Sequence, residues 1–176
     1  SLSKCFIFIL SAGLFSSYTS PYQTFSLSGA HFASSNYLPK INTCDSAGLS
    51  PALEWKNIPS GTKSIAITMH HIAKDGERHV YMVLYNIPPT VTHIEEGANN
   101  VGIFGNNSMN PNKAYTPPCS KGPGPKAYII TAFALSEMIQ VESGSKFTMT
   151  DLEKSMEHLL IAKSSITATY SRPDKN

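Results

Sequence analysis

Short apolar or alternating runs along this chain are repeatedly interrupted by clusters of Gly, Pro, Asn and Ser. In "TFSLSGAHF" (24–32) Phe25, Leu27 and Gly29 alternate with serines, the period of a half-buried strand. Residues 38–63 are rich in Pro, Gly, Asn and Ser and read as ordered loop, with one short strand around Leu53 to Trp55. "SIAITMHH" (64–71) and "HVYMVLYNIP" (79–88) are β-branched and aromatic runs on either side of Asp75-Gly76, a strong turn pair, so they predict a hairpin. Residues 89–127 hold six prolines, from Pro89 to Pro125, and an Asn-rich patch, which excludes long helices and central strands. A loop of that length inside a compact domain is usually functional. "AYIITAFAL" (127–135) is apolar on both faces and predicts a central strand. "TMTDLEKSMEHLLIAKS" (148–164) predicts the one helix: Thr150 is the expected cap, Glu153 stands three residues on, and Leu152, Met156, Leu159, Leu160 and Lys163 follow helical spacing. "SITATYSRP" (165–173) predicts a closing strand. The architecture expected is mainly β with one late helix.

Strand alternation then sorts the candidate chemistry. Successive side chains on 64–71 point to opposite faces, so His70 and His71 cannot enter one pocket. On 79–88 the same rule puts His79, Tyr81, Val83 and Tyr85 on one face and Val80, Met82, Leu84 and Asn86 on the other. If the first of these faces is buried, His79 and Tyr81 need polar partners, and a pocket is one way to supply them. Zinc requires three or four converging ligands; His71 or His70 with His79 leaves only Cys119 or Asp75 as third partner, so no metal is expected. No serine-hydrolase elbow, His-Glu-x-x-His, phosphate loop or dinucleotide fingerprint occurs, and no cofactor is implied.

Composition narrows the function classes. With 176 residues, 41% of them hydrophobic, the chain suits one domain with a substantial core. Fourteen Lys plus Arg against 12 Asp plus Glu, without any run of like charge, argue against nucleic-acid binding. The opening "SLSKCFIFILSAGLFSSYTS" has an early cation, an apolar stretch and then small polar residues, the layout of a secretory signal peptide. The stretch is too short for a transmembrane span. We expect residues 1–17 to be the signal and 18–176 a single exported domain, periplasmic or secreted; if 1–17 is instead a buried strand, the protein is cytoplasmic. Removal of the signal takes Cys5 with it, and the spacing of Cys44 and Cys119 alone leaves a disulfide and two separate thiols equally open.

In order along the chain, "LSPALEWKNIPSGTKSIAI", "VLYNIP", a Pro-Cys and Gly-Pro-rich loop running into "AYIITAFAL", and "DLEKSMEHLLIAKSSITATYSR" closely resemble the phosphatidylethanolamine-binding protein (PEBP) family, most of all its bacterial Raf-kinase-inhibitor-like branch. The resemblance spans about residues 24 to 172 and implies a large antiparallel sheet packed on a smaller one, a helix near the C-terminus and a small anion pocket at one end. The family's pocket uses Asp-Pro-Asp-x-Pro after a strand, a His on the next strand, and a Gly-Pro-x-Pro-Pro loop ending in His-Arg-Tyr. Here His71 takes the place of the first Asp, Tyr81 that of the strand His with His79 two residues earlier, and Lys126 and Ala127 those of the loop His and Arg; only Pro118 and Tyr128 are unaltered. The implied ligand set is therefore His71, His79, Tyr81, Pro118, Lys126 and Tyr128, a less acidic pocket than the family's. The resemblance also favours a Cys44–Cys119 bridge, since bacterial relatives often carry cysteines in these two loops.

The reading this supports is a non-enzymatic binding protein for a small anion, such as a phosphate or phospholipid headgroup, with a protein partner as a further expectation. Two alternatives come from other classes. One is a kinase or protease inhibitor acting through the surface of residues 89–127. The other is a cryptic metal-dependent hydrolase using His71 and His79.

Overall fold

The computed structural model describes residues 23–121 and 124–172; the expected signal segment, residues 1–17, lies outside them. Two antiparallel sheets and a short helix form three layers. The smaller sheet has the order β1 (Ser26–Gly29), β2 (Leu53–Lys56), β5 (His93–Ile94). The larger has the order β6 (Ile103–Phe104), β4 (Arg78–Ile87), β3 (Ser64–Ile72), β7 (Lys126–Leu135), β8 (Leu160–Tyr170). Helix α1 (Met149–Met156) lies on the outer face of the larger sheet. The expected fold class is thus the one observed, and β7, apolar on both faces, is central as predicted.

Alternation explains each layer. From β3, Ile65, Ile67 and Met69 enter the core between the sheets, joined there by Ile130, Ala132 and Ala134 of β7 and by Leu27, Leu53 and Trp55 of the small sheet. The intervening residues Ala66 of β3 and Phe133 and Leu135 of β7 face the other way and pack on Leu152 and Met156 of α1. Burial of an aliphatic side chain of this size stabilises by about 1.5–3 kcal/mol, so the β3 row alone anchors the sandwich. In β1, Gly29 is required by space, because a Cβ there would lie 2.3 Å from the Phe32 ring. The β3–β4 hairpin turns where expected, with Gly76 at φ +87° and the Asp75 carboxylate accepting from the Glu77 amide at 3.0 Å.

Two expectations are corrected. The helix spans eight residues rather than seventeen, and its cap is Thr148: the Thr148 hydroxyl accepts from the Asp151 amide and the Asp151 carboxylate accepts from the Thr148 amide. Residues 160–164 belong to β8, because β7 offers backbone partners along its full length, from Lys126 opposite Tyr170 to Leu135 opposite Leu160. Ten ladder positions outweigh a helical spacing that Leu159, Leu160 and Lys163 satisfy only in sequence. The second correction concerns β4. Between Ile65–Ile87 and Ile67–Leu84, and again between Met69–Met82 and His70–Val80, β4 carries one more residue than β3. Each bulge shifts the alternation by one. Asn86 takes up the first in a left-handed conformation, φ 56°, held by reciprocal bonds of its amide side chain with Ile139. As a result Val83 and Tyr85 face α1, whereas Tyr81 and Met82 both enter the core between the sheets.

Candidate functional site

One end of the larger sheet collects the polar aromatics. His71, near the end of β3, stands opposite His79, near the start of β4. Pairing of His70 with Ile129 brings Tyr128 of β7 beside His71. The ring centroids of His71 and His79 are 6.4 Å apart and those of His71 and Tyr128 5.6 Å. The second bulge completes the group by turning Tyr81 inward, its ring edge-on to Tyr128 at 5.2 Å and 79°. His71, His79, Tyr81 and Tyr128 therefore converge. Pro118, buried in the loop above, accepts from the Cys44 amide through its carbonyl at 3.0 Å, and the Thr116 amide donates to the Tyr81 carbonyl at 2.9 Å, which binds this loop to β4. Lys126 is the first residue of β7, half-buried and in register with Tyr170, two positions before Tyr128 and so on the same strand face.

The donors are well defined. His71 Nδ1 lies 2.8 Å from the Ala127 carbonyl, which can only accept, so Nδ1 carries the proton and Nε2 offers a lone pair in the neutral ring and a second donor in the charged one. His79 Nε2 is 3.3 Å from the exposed Glu77 carboxylate. Tyr128 is fully buried and its hydroxyl has no hydrogen-bond partner among the described residues. Burial pushes its phenol well above the ordinary range, and the charges Tyr81 and Tyr170 would carry if ionised push it further. Tyr81 is near enough to influence Tyr128, yet the two hydroxyls do not meet in hydrogen-bond geometry. Burial likewise raises Tyr81 and Tyr115, so all three phenols are protonated donors at neutral pH.

Four further residues border this end and were not anticipated. Tyr115 donates to the Asn42 carbonyl at 2.6 Å. Tyr170 donates to Asp45, and the Arg172 guanidinium grips the same carboxylate, Nη2 to Oδ1 at 2.6 Å and Nε to Oδ1 at 2.9 Å. These bonds hold the Asp45 carboxyl below the usual carboxylate range. Cys44 and Cys119 are bonded to each other, which ties the loop after the 3₁₀ turn Lys40–Asn42 to the loop carrying Pro118. Arg172 Nη1 also lies 3.6 Å from Cys119 Sγ.

His70 points to the opposite face, toward Glu153 of α1, and burial lowers its pKa. Among the described residues no group of three His, Cys, Asp or Glu converges as a metal would need. Among them, too, no helix is long and apolar enough to cross a membrane.

A family profile described as phosphatidylethanolamine-binding protein matches residues 28–171. A UPF0098 protein of Chlamydia muridarum is 29% identical over 153 residues, covering 83% of this chain and 98% of that protein. The UPF0098 protein YbcL of Escherichia coli K12 is 30% identical over 120 residues, covering 58% of this chain and 61% of that protein. Among solved structures, a phosphatidylethanolamine-binding protein homologue from Chlamydia trachomatis superposes with a TM-score of 0.77 at 24% identity, covering 85% of this chain and 98% of the other. The E. coli YbcL structure superposes with a TM-score of 0.73 at 23% identity, covering 85% of this chain and 99% of the other.

Proposed function

Because the chain belongs to the phosphatidylethanolamine-binding protein family, we propose that the His71, His79, Tyr81 and Tyr128 cluster is a non-enzymatic binding site for a small phosphate-type anion, with Lys126 and Pro118 at its border. The observation that carries the reading is the Tyr128 hydroxyl. A phenol buried without a partner costs free energy that a purely structural position would avoid by being Phe. An anionic oxygen is the partner that the two protonated phenols Tyr81 and Tyr128 and an imidazolium would share best, the Tyr115 proton being already given to the Asn42 carbonyl. Tyr128 is fully buried, so an anion reaches it by displacing a neighbouring ring, and half-exposed His79, whose Nε2 meets the solvent-side Glu77 carboxylate at 3.3 Å, is the candidate. His71 offers an anion a donor from Nε2 only as the imidazolium, in which Nδ1 keeps its bond to the Ala127 carbonyl.

Among the described residues neither His71 nor His79 is hydrogen-bonded to a Ser, Thr or Cys that it could activate as a nucleophile, which supports binding rather than turnover. The Cys44–Cys119 bridge supports a compartment that preserves disulfides, in line with export after removal of residues 1–17. Whether the occupant is free phosphate, a lipid headgroup or a phosphorylated partner is decided by titrating inorganic phosphate, phosphoethanolamine and a nucleotide while following the His71, His79 and Tyr128 resonances. Saturable shifts at millimolar ligand are expected for at least one of them. If none of the three moves these signals, the site does not bind anions.

A further inference from the structure

On the face of the larger sheet away from this cluster, a cleft of about 290 Å³ opens between α1 and strands β3, β7 and β8. Its floor is polar where a helix–sheet contact is normally apolar. His70, Thr131 and Ser165 line it, Thr131 and Ser165 in register across β7 and β8, and Thr68 of β3 continues that row beneath the surface. The Thr131 and Ser165 hydroxyls bond to each other at 2.8 Å, but the Thr68 hydroxyl and His70 Nδ1 are buried and have no partner among the described residues. Burial followed by the Arg78 charge lowers the His70 pKa, which leaves a neutral imidazole at neutral pH. The apolar lining is formed by Met149 and Met156 of α1 opposite and by Phe133 of β7 next to Thr131.

The charges around the cleft come in balanced pairs. Glu153 is compensated by Arg78, whose guanidinium meets both carboxylate oxygens at 2.7 and 3.0 Å. That leaves Glu157 at the end of α1 and Lys163 on β8, both exposed, as one anion and one cation at the rim. We propose that this cleft is a second binding site, for a small zwitterion of the α-amino acid class with an apolar side chain. The ammonium group would be taken by Glu157 with a lone pair of His70, the carboxylate by Lys163 with the Ser165 hydroxyl, and the side chain by the Met149, Met156 and Phe133 wall. A net-neutral rim and a volume at the low end for ligand pockets exclude large or singly charged ligands as the best fit.

The test uses the intact protein and three probes of one carbon skeleton: L-leucine, its carboxylate-only analogue 4-methylpentanoate, and its amine-only analogue isopentylamine. Leucine is expected to shift the His70 ring signals and the Thr131 and Ser165 amides saturably, while either analogue binds roughly tenfold more weakly or worse, one charge-assisted contact being lost. Glu157→Gln and Lys163→Gln, both at exposed positions, should each weaken leucine by a similar factor, and Tyr128→Phe should leave it unchanged. Absence of leucine shifts, equal binding of the three probes, or shifts confined to His71 and Tyr128 would each overturn the proposal.

Discussion

Replacing Tyr128 with Phe separates the two demands that the first cluster places on one side chain. The ring would keep its edge-on contact with Tyr81 at 5.2 Å and its contact with His71 at 5.6 Å, and the fully buried volume would stay filled. Only the unpartnered hydroxyl would go. An unsatisfied buried hydroxyl costs about 1–3 kcal/mol, part of which a single hydroxyl recovers by small relaxations, so the ligand-free variant should be more stable by roughly 1–2 kcal/mol. For a domain of this size that raises the melting temperature by about 2–8 °C. The same change should weaken phosphate by about tenfold or more, since a hydrogen bond to a charged group contributes roughly 1.5–3 kcal/mol. Thermal melts with and without phosphate, together with calorimetric titration, measure both. The reasoning fails if Tyr128→Phe is less stable than the parent without ligand and binds phosphate equally well, because the hydroxyl would then serve the fold.

Three other outcomes follow from the same geometry. Replacing both Cys44 and Cys119 with Ser frees a loop closed over a separation of 75 residues; chain entropy then predicts a loss of at most about 4.5 kcal/mol in a urea melt, and a loss under about 1 kcal/mol would show that the bridge constrains little. Asp45 has its pKa depressed, first by its bond to Arg172, so the stability it contributes is present above the ordinary carboxylate range and is lost as pH falls through its lowered value. Asp45→Asn should therefore flatten the dependence of the urea midpoint on pH below about pH 4, and an unchanged slope would contradict the pairing. Thr148→Ala should cost about 1 kcal/mol by removing the cap of α1, whereas Thr150→Ala should cost clearly less; the reverse order in thermal melts would return the cap to Thr150.

Strands were legible in the sequence wherever both period and turn chemistry agreed, as in the β3–β4 hairpin around Asp75-Gly76 and in β7. What stayed hidden depended on partners distant in the chain. The helical spacing of 157–163 is real, but β7 supplies a longer ladder for residues 160–164 than a helix supplies contacts. The phase of β4 was misread because a bulge leaves no mark in a run such as "VYMVLYN", although Asn86, a residue tolerant of positive φ, is a usable sign of the first one. The error did not separate His79 from Tyr81, since the second bulge turns Tyr81 to the side where His71 and Tyr128 lie. Separation of His70 from His71 needed only strand alternation and is what the two faces display. The Asp45, Tyr170 and Arg172 cluster could not be foreseen, because its halves are 125 and 127 residues apart.

The central claim, that the Tyr128 hydroxyl awaits an anionic oxygen, is tested most directly by a crystal structure of the protein grown with phosphoethanolamine below neutral pH. The account predicts a phosphate oxygen within hydrogen-bond distance of Tyr128 Oη, with the His71 ring still bonded to Ala127 and the His79 ring displaced. A structure in which that hydroxyl is met by an ordered water or a protein group, and phosphate binds elsewhere or not at all, would contradict it.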